Sequence, residues 1–450
     1  MKLVNRVLGA SLVGMVAMGS LVGCGETTSA RATSAASEAP VEIVFWHSMG
    51  GVGGEALQQL ADGFNSSQDK IKVEVQYQGS YDEAINKLKS ASLGAASPDL
   101  MQLYDIGTRW MIDSEYACKM QDFIDAEGFD TSELEENILA YYSINDALYS
   151  MPFNSSTPIL YYNKDLFKEA GLDPEVAPKS IEEMMAYSEK LAKKEGNNVT
   201  TYGANIQIYG WFFEQFLVKS GLDYANNGNG RTDAATAVSF DENGGGLRIM
   251  EKWLEAVDAG NMVNLGRDED VNKDAFTAGN SAMLLGSTAS LSTIKASING
   301  KFELGTAYFP GVTNEDQGGV SIGGGSLWIM DKEDDAKEQA AWEFVKYLIS
   351  AESQVKWSKA TGYFPITTKA YDLPEMTAHL EAQPEFKTAI DQLHDSKGST
   401  GALLAVFPEA RACIEENIEK LLNHELTPEE AVNASAQTIN KAIERYNKTK

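Results

Sequence analysis

EIVFWHSMGGVGGEALQQLADGFNSSQDKIKVEVQY, residues 42–77, reads as strand, helix, strand. Glu42 to Trp46 (EIVFW) reads as a buried strand. Between Glu55 and Phe64 the apolar residues fall at 56, 57, 60, 61 and 64, which is helical spacing. Ile71, Val73, Val75 and Tyr77 alternate, the period of a strand with one buried face. A second helix is expected from Tyr81 to Leu93, with Ala84, Ile85, Leu88 and Ser92 on one side. A third strand is expected from Asp99 to Leu103. The order β-α-β-α-β implies a parallel sheet with helices on both faces.

The pattern continues outward from there. Residues 159–260 again alternate strand-like and helical segments. Strand-like runs recur at 275–285 and 318–330, and the chain beyond Asp334 is mostly helical. The stretches at 226–230 (NNGNG) and 242–246 (ENGGG) read as surface loops. There is no internal repeat, and no long linker follows residue 40. Two α/β units without a linker imply two lobes that the chain crosses more than once. A chain of 450 residues is long enough for both. Ligands favour the carboxyl ends of such strands and the clefts between lobes.

Composition narrows the function. The hydrophobic fraction of 43% suits a globular core, and the net charge is −28. That charge argues against nucleic acid and against docking on anionic lipid, both of which need clustered Lys and Arg. At the N-terminus, Lys2 and Arg6 precede an apolar run, Val7 to Met18, and then Leu21-Val22-Gly23-Cys24. This is the pattern of a lipoprotein signal peptide over 1–23, with Cys24 as the lipidated residue. The Ser-, Ala- and Thr-rich stretch through residue 40 reads as a flexible tether. The expected location is extracytoplasmic, lipid-anchored to the cell membrane. Cys118 and Cys413 stand alone, outside any CxxC motif, and read as separate thiols, with a disulfide between them left open.

Signatures of other chemistry are weak. Gly51-Val52-Gly53-Gly54-Glu55-Ala56 fits the dinucleotide fingerprint, with Glu74 at the right distance. His47 to Gly50 lengthens the turn, however, so a glycine-rich turn is the preferred reading. Gly319-Val320-Ser321-Ile322-Gly323 fits GxSxG, which would make Ser321 the nucleophile of a secreted hydrolase. The residues after it read as a strand, where a nucleophile elbow needs a helix. The four histidines are scattered, and neither a metal site nor a cofactor is expected.

Two stretches point to binding. In PFNSSTPILYYNKDLF (152–167), four small polar residues stand directly before a buried strand, and such groups need partners. In FPEAR (407–411), an arginine lies near the start of a helix, where acids are usually preferred. Arg411 is either an ordinary salt-bridge partner or an anion clamp.

Eight stretches in order then resemble the extracellular solute-binding proteins of ABC importers, family 1, in the branch that takes glycerol phosphates. They are FWHSMGG, YQGSYDEAINKL, LYDIGT, PFNSSTPILYYNKDLFKEAGLDP, AMLLGSTASL, IGGGSLWIM, TGYFPITTKAYDL and FPEARACIEENIEKLL. The resemblance implies a two-lobed α/β periplasmic-binding-protein-like fold of type II, with the ligand cleft between the lobes. It implies no catalysis, a small-molecule ligand of the glycerol phosphate class, delivery to the membrane subunits of an ABC permease, and a monomer. The expected N-terminal lobe is 41–151 with 284–333, and the C-terminal lobe 152–283 with 334–450.

Motif by motif, the resemblance places ligand contacts at Tyr81, Asp105, Ser156, Ser287, Gly324, Tyr363 and Arg411. Asp105 stands where the family usually has Glu. Ile181 stands where a Trp is common, which would enlarge the site. On this reading the serines, the Gly324 amide, Tyr363 and Arg411 hold a phosphate. Asp105 and Tyr81 meet glycerol hydroxyls at the far end from Arg411. Trp211 is a candidate stacking face. A sugar or oligosaccharide receptor is the alternative within the same class.

Overall fold

The computed structural model describes residues 39–94, 96–196, 198–396 and 400–450. The expected signal peptide, Cys24 and nearly all of the expected tether lie outside the described residues.

Two five-stranded sheets carry the fold, one in each lobe. Their strands are β1 (Val41–His47), β2 (Ile71–Tyr77), β3 (Leu100–Tyr104), β4 (Met151–Ser156), β5 (Pro158–Asn163), β6 (Ala204–Asn205), β7 (Met262–Val263), β8 (Met283–Ser287), β9 (Leu304–Tyr308) and β10 (Gly323–Ile329). The first sheet has the order β2-β1-β3-β10-β4. β1 runs parallel to β2 and β3, and β10 runs antiparallel to β3 and β4. The second sheet has the order β7-β6-β8-β5-β9. There β6 is parallel to β7 and β8, while β5 is antiparallel to β8 and β9.

The opening strand-helix-strand reading matches β1, the helix Gly51–Ser67 and β2. That helix buries Leu57, Leu60 and Phe64. Phe64 packs on Phe344 at 5.1 Å between ring centroids, and Phe45 of β1 meets Phe344 edge-on at 5.9 Å. The helices Asp335–Leu348 and Ala351–Thr361 thus close the core of the first lobe. Gly51–Ala56 of the fingerprint-like stretch simply opens the Gly51–Ser67 helix.

The sheets divide the chain differently from the expected boundaries. β4 belongs to the first sheet, so the first crossing falls at Thr157, not before Pro152. β8 and β9, expected in the first lobe with 284–333, flank β5 in the second sheet. The cause is β5 itself: all six of its residues are buried, and a buried strand needs a backbone partner on each side. Only β10 of that segment returns to the first sheet. The helices 335–348 and 351–361, expected in the second lobe, pack on the first because their apolar faces complete its aromatic core.

Gln392 is one of the side chains that hold the crossing. Gln392 donates to Thr157 Oγ1 at 3.0 Å and to the Pro158 carbonyl at 2.7 Å, and accepts from the Phe309 amide at 2.6 Å. It ties the β4–β5 junction to the segment that leads from β9 towards β10. Cys118 and Cys413 are free, and each is partly buried.

Candidate functional site

A cavity of about 380 Å³ is lined by residues of both lobes, and Tyr81, Asp105, Ser156, Ser287, Gly324, Tyr363 and Arg411 all lie on its wall. Each is placed by local structure. Tyr81 is the first residue of the helix Tyr81–Ala91, whose start is fixed by a capping box between Ser80 and Glu83. Its ring stacks on Tyr104 at 5.1 Å, and its hydroxyl accepts from Asn154 Nδ2 at 3.0 Å. Asp105 sits on the single 3₁₀ turn after β3. Ser287, at the end of β8, accepts from the Ala289 amide at 3.2 Å. Tyr363 stacks on Trp357 at 5.6 Å, and burial pushes its hydroxyl up to about 12.

The four polar residues before β5 divide their work. Asn154 Oδ1 accepts from Gln102 at 2.7 Å, so Asn154 joins β3, β4 and Tyr81. Thr157 bonds Thr288 and Gln392. Ser155 Oγ is buried without a partner, and Ser156 reaches the cavity. Beside them Gly324 has φ +99, and a Cβ there would meet the Asn154 carbonyl at 1.9 Å. Only glycine permits β10 to approach β4 this closely.

Arg411 is the fifth residue of the helix Phe407–Leu422, one turn in from its start. Its Nε and Nη2 donate to the two carboxylate oxygens of Glu214 at 2.8 and 2.7 Å. Asp105 Oδ2 lies 3.7 Å from Nη2. The guanidinium also lies over the Tyr209 ring, at 5.5 Å from its centroid. Gly210 makes this possible, because a Cβ there would stand 2.6 Å from Arg411 Cγ. Arg411 and Asp105 are therefore neighbours, not opposite ends of a cleft, because the turn after β3 and the Phe407–Leu422 helix meet. Burial pushes the Asp105 carboxyl up to about 6, against the pull of Arg411 and with the help of Glu214.

Two other expectations change. Ile181 is fully buried in the core of the second lobe and does not line the cavity, so its replacement of Trp does not enlarge the site. Trp211 does line the cavity, packed where a Cβ on Gly323 would lie 2.6 Å from its ring. Glu214 was missed by sequence reasoning. The available signal was a lone carboxylate inside GWFFEQFLVK, a largely apolar helical run that buries Glu214 along with its neighbours.

The two sheets, the crossing strand and the cavity lined from both lobes define a two-lobed solute-binding protein. The chain belongs to the bacterial extracellular solute-binding proteins, whose family model matches residues 59–388. It is 32% identical over 423 residues to the sn-glycerol-3-phosphate-binding periplasmic protein UgpB of Shigella flexneri, covering 92% of this chain and 95% of that one. It is 31% identical over 423 residues to UgpB of Escherichia coli K12, with the same coverage. Among solved structures it resembles UgpB of Mycobacterium tuberculosis in complex with glycerophosphocholine, with a TM-score of 0.76, 22% identity, and 91% and 99% of the two chains covered. It also resembles the GacH receptor of Streptomyces glaucescens, solved unliganded and with acarbose, with a TM-score of 0.75, 21% identity, and 90% and 99% covered.

These relatives bind solutes and are not enzymes. The geometry at Ser321 fits this. Its hydroxyl accepts from Gln215 at 2.8 Å and its amide donates back to Gln215 at 2.9 Å, so the serine braces the core. Among the described residues, no helix is long and apolar enough to cross a membrane.

Proposed function

We propose that this protein captures sn-glycerol 3-phosphate or a glycerophosphodiester such as glycerophosphocholine and delivers it to an ABC permease. The observation that carries this reading is Arg411, a guanidinium on the wall of a cavity otherwise rich in hydroxyls. Its free Nη1 edge, the hydroxyls of Ser156, Ser287 and Tyr363, and the Gly324 amide supply donors for phosphate oxygens. Asp105 and Tyr81 accept from glycerol hydroxyls beside that cluster. The curated relatives named as glycerol-3-phosphate-binding proteins support the ligand class. Attachment through a lipidated Cys24 follows from the lipobox and belongs to the same proposal.

A sugar ligand is the second reading, favoured by the aromatic wall of Tyr104, Tyr209 and Trp211. Calorimetry with glycerol 3-phosphate, glycerophosphocholine and maltose decides between them. Binding of either phosphate and not of maltose is the expected result, and the reverse would overturn the proposal. For the anchor, Cys24→Ala is expected to release the protein from the membrane fraction or leave it as uncut precursor.

A further inference from the structure

The positive charge of Arg411 is balanced before any ligand arrives. Glu214 occupies its Nε–Nη2 edge, and Asp105 stands beside Nη2. The other charged groups on the cavity wall, Glu269 and Lys273, pair with each other at 3.2 Å, and Lys273 also reaches Asp270 at 3.0 Å. Glu415, one turn beyond Arg411, accepts from the Gly210 amide at 2.9 Å. The tyrosines facing the cluster are Tyr81, Tyr104, Tyr141, Tyr142, Tyr209, Tyr224 and Tyr363, and burial holds all seven neutral at pH 8. Among the described residues on the wall, no cation is left over. A guanidinium paired along one edge can still donate through Nη1, but it cannot offset two negative charges.

We propose that Glu214, which stands behind Arg411 and off the cavity wall, sets the ligand charge that the site accepts: the single charge of a phosphodiester in preference to the two of a phosphate monoester. This rests on the glycerol phosphate reading. Glu214 touches no ligand atom. It is a positioning residue that acts through Arg411, holding the guanidinium in place and consuming most of its field.

The test compares glycerol 3-phosphate with glycerophosphocholine by calorimetry at pH 8, where the monoester is a dianion. Glu214→Gln keeps the shape and removes the charge. It is expected to raise the affinity ratio of monoester to diester by about tenfold, the scale on which a neighbouring like charge acts. Glu214→Asp keeps the charge and should leave that ratio within about twofold of wild type. A purely structural role would change both ligands equally, and that result overturns the proposal. A second readout needs only wild-type protein. In buffers of different ionisation enthalpy, monoester binding should take up close to one proton and diester binding none; equal uptake for both overturns the proposal. Wild-type protein that binds neither ligand defeats the functional reading itself, a result distinct from two bound ligands whose ratio does not move.

Discussion

Asp105 and Arg411 belong to one buried charged cluster, so its titration bears on stability as well as on the proposed binding. The Asp105 carboxyl is raised from 3.8 to about 6 by burial. Between those values the folded protein holds a proton that the unfolded chain has released, so stability falls as pH rises through this window. The full effect is on the order of 2–3 kcal/mol. Asp105→Asn is therefore expected to raise the melting temperature of the ligand-free protein at pH 7.5 and leave it unchanged at pH 4, while weakening every ligand. Equal shifts at both pH values would show that Asp105 is not the group responsible. Arg411→Ala should cost affinity about 30-fold or more. It should also destabilise the ligand-free protein by roughly 3–5 kcal/mol, because Glu214 is left buried and unpaired. Arg411→Met with Glu214→Leu should recover the melting temperature but not binding. The seven wall positions came from the family resemblance of the motifs that hold them; the residues by themselves pointed only to Arg411 and to the polar run before β5. Glu214 was not legible, because a carboxylate in a largely apolar helix reveals its partner only when the fold brings residue 411 beside it.

Secondary-structure elements were legible wherever a period was sustained, as in β1, β2 and the helix between them. Their sheet membership was not. β8, β9 and β10 all read as apolar strand-like runs, and nothing local says which sheet each completes. That depends on which edge of β5 or β3 is free, a long-range matter. Gln392 shows the cost of such long-range dependence at the crossing between sheets. Gln392→Ala would leave the Phe309 amide and Pro158 carbonyl without their partner. A buried group so stranded costs about 1–3 kcal/mol, so urea unfolding should show a lowered midpoint, and an unchanged midpoint would exclude this role for the side chain. Gly324→Ala is a harsher change. The positive φ alone carries strain of about 1–3 kcal/mol, and the Asn154 carbonyl must also move. Loss of binding with a lowered melting temperature is expected, and a variant that binds normally would show that β10 can retreat from β4.

At the scale of the whole molecule, a ligand gripped by both lobes favours their approach by its differential affinity for the closed state. Small-angle scattering is expected to show a smaller radius of gyration with bound glycerophosphate, and the melting temperature should rise with ligand concentration. Ligand at 100 times its Kd contributes about 2.7 kcal/mol. A radius unchanged by saturating ligand would count against closure. The same architecture has a consequence for how the chain comes into being. β10 sits between β3 and β4 in the first sheet, yet it is synthesised long after both. Until residue 329 has emerged, β3 and β4 lack their shared neighbour, and the helices 335–361 that cap their core come later still. The first lobe cannot close on itself during synthesis, so pairing of this kind is slow. Strand order alone therefore delays closure of the first lobe until most of the chain has been made. A fragment ending at residue 322 should accordingly remain protease-sensitive throughout 41–156, whereas the intact chain is protected there.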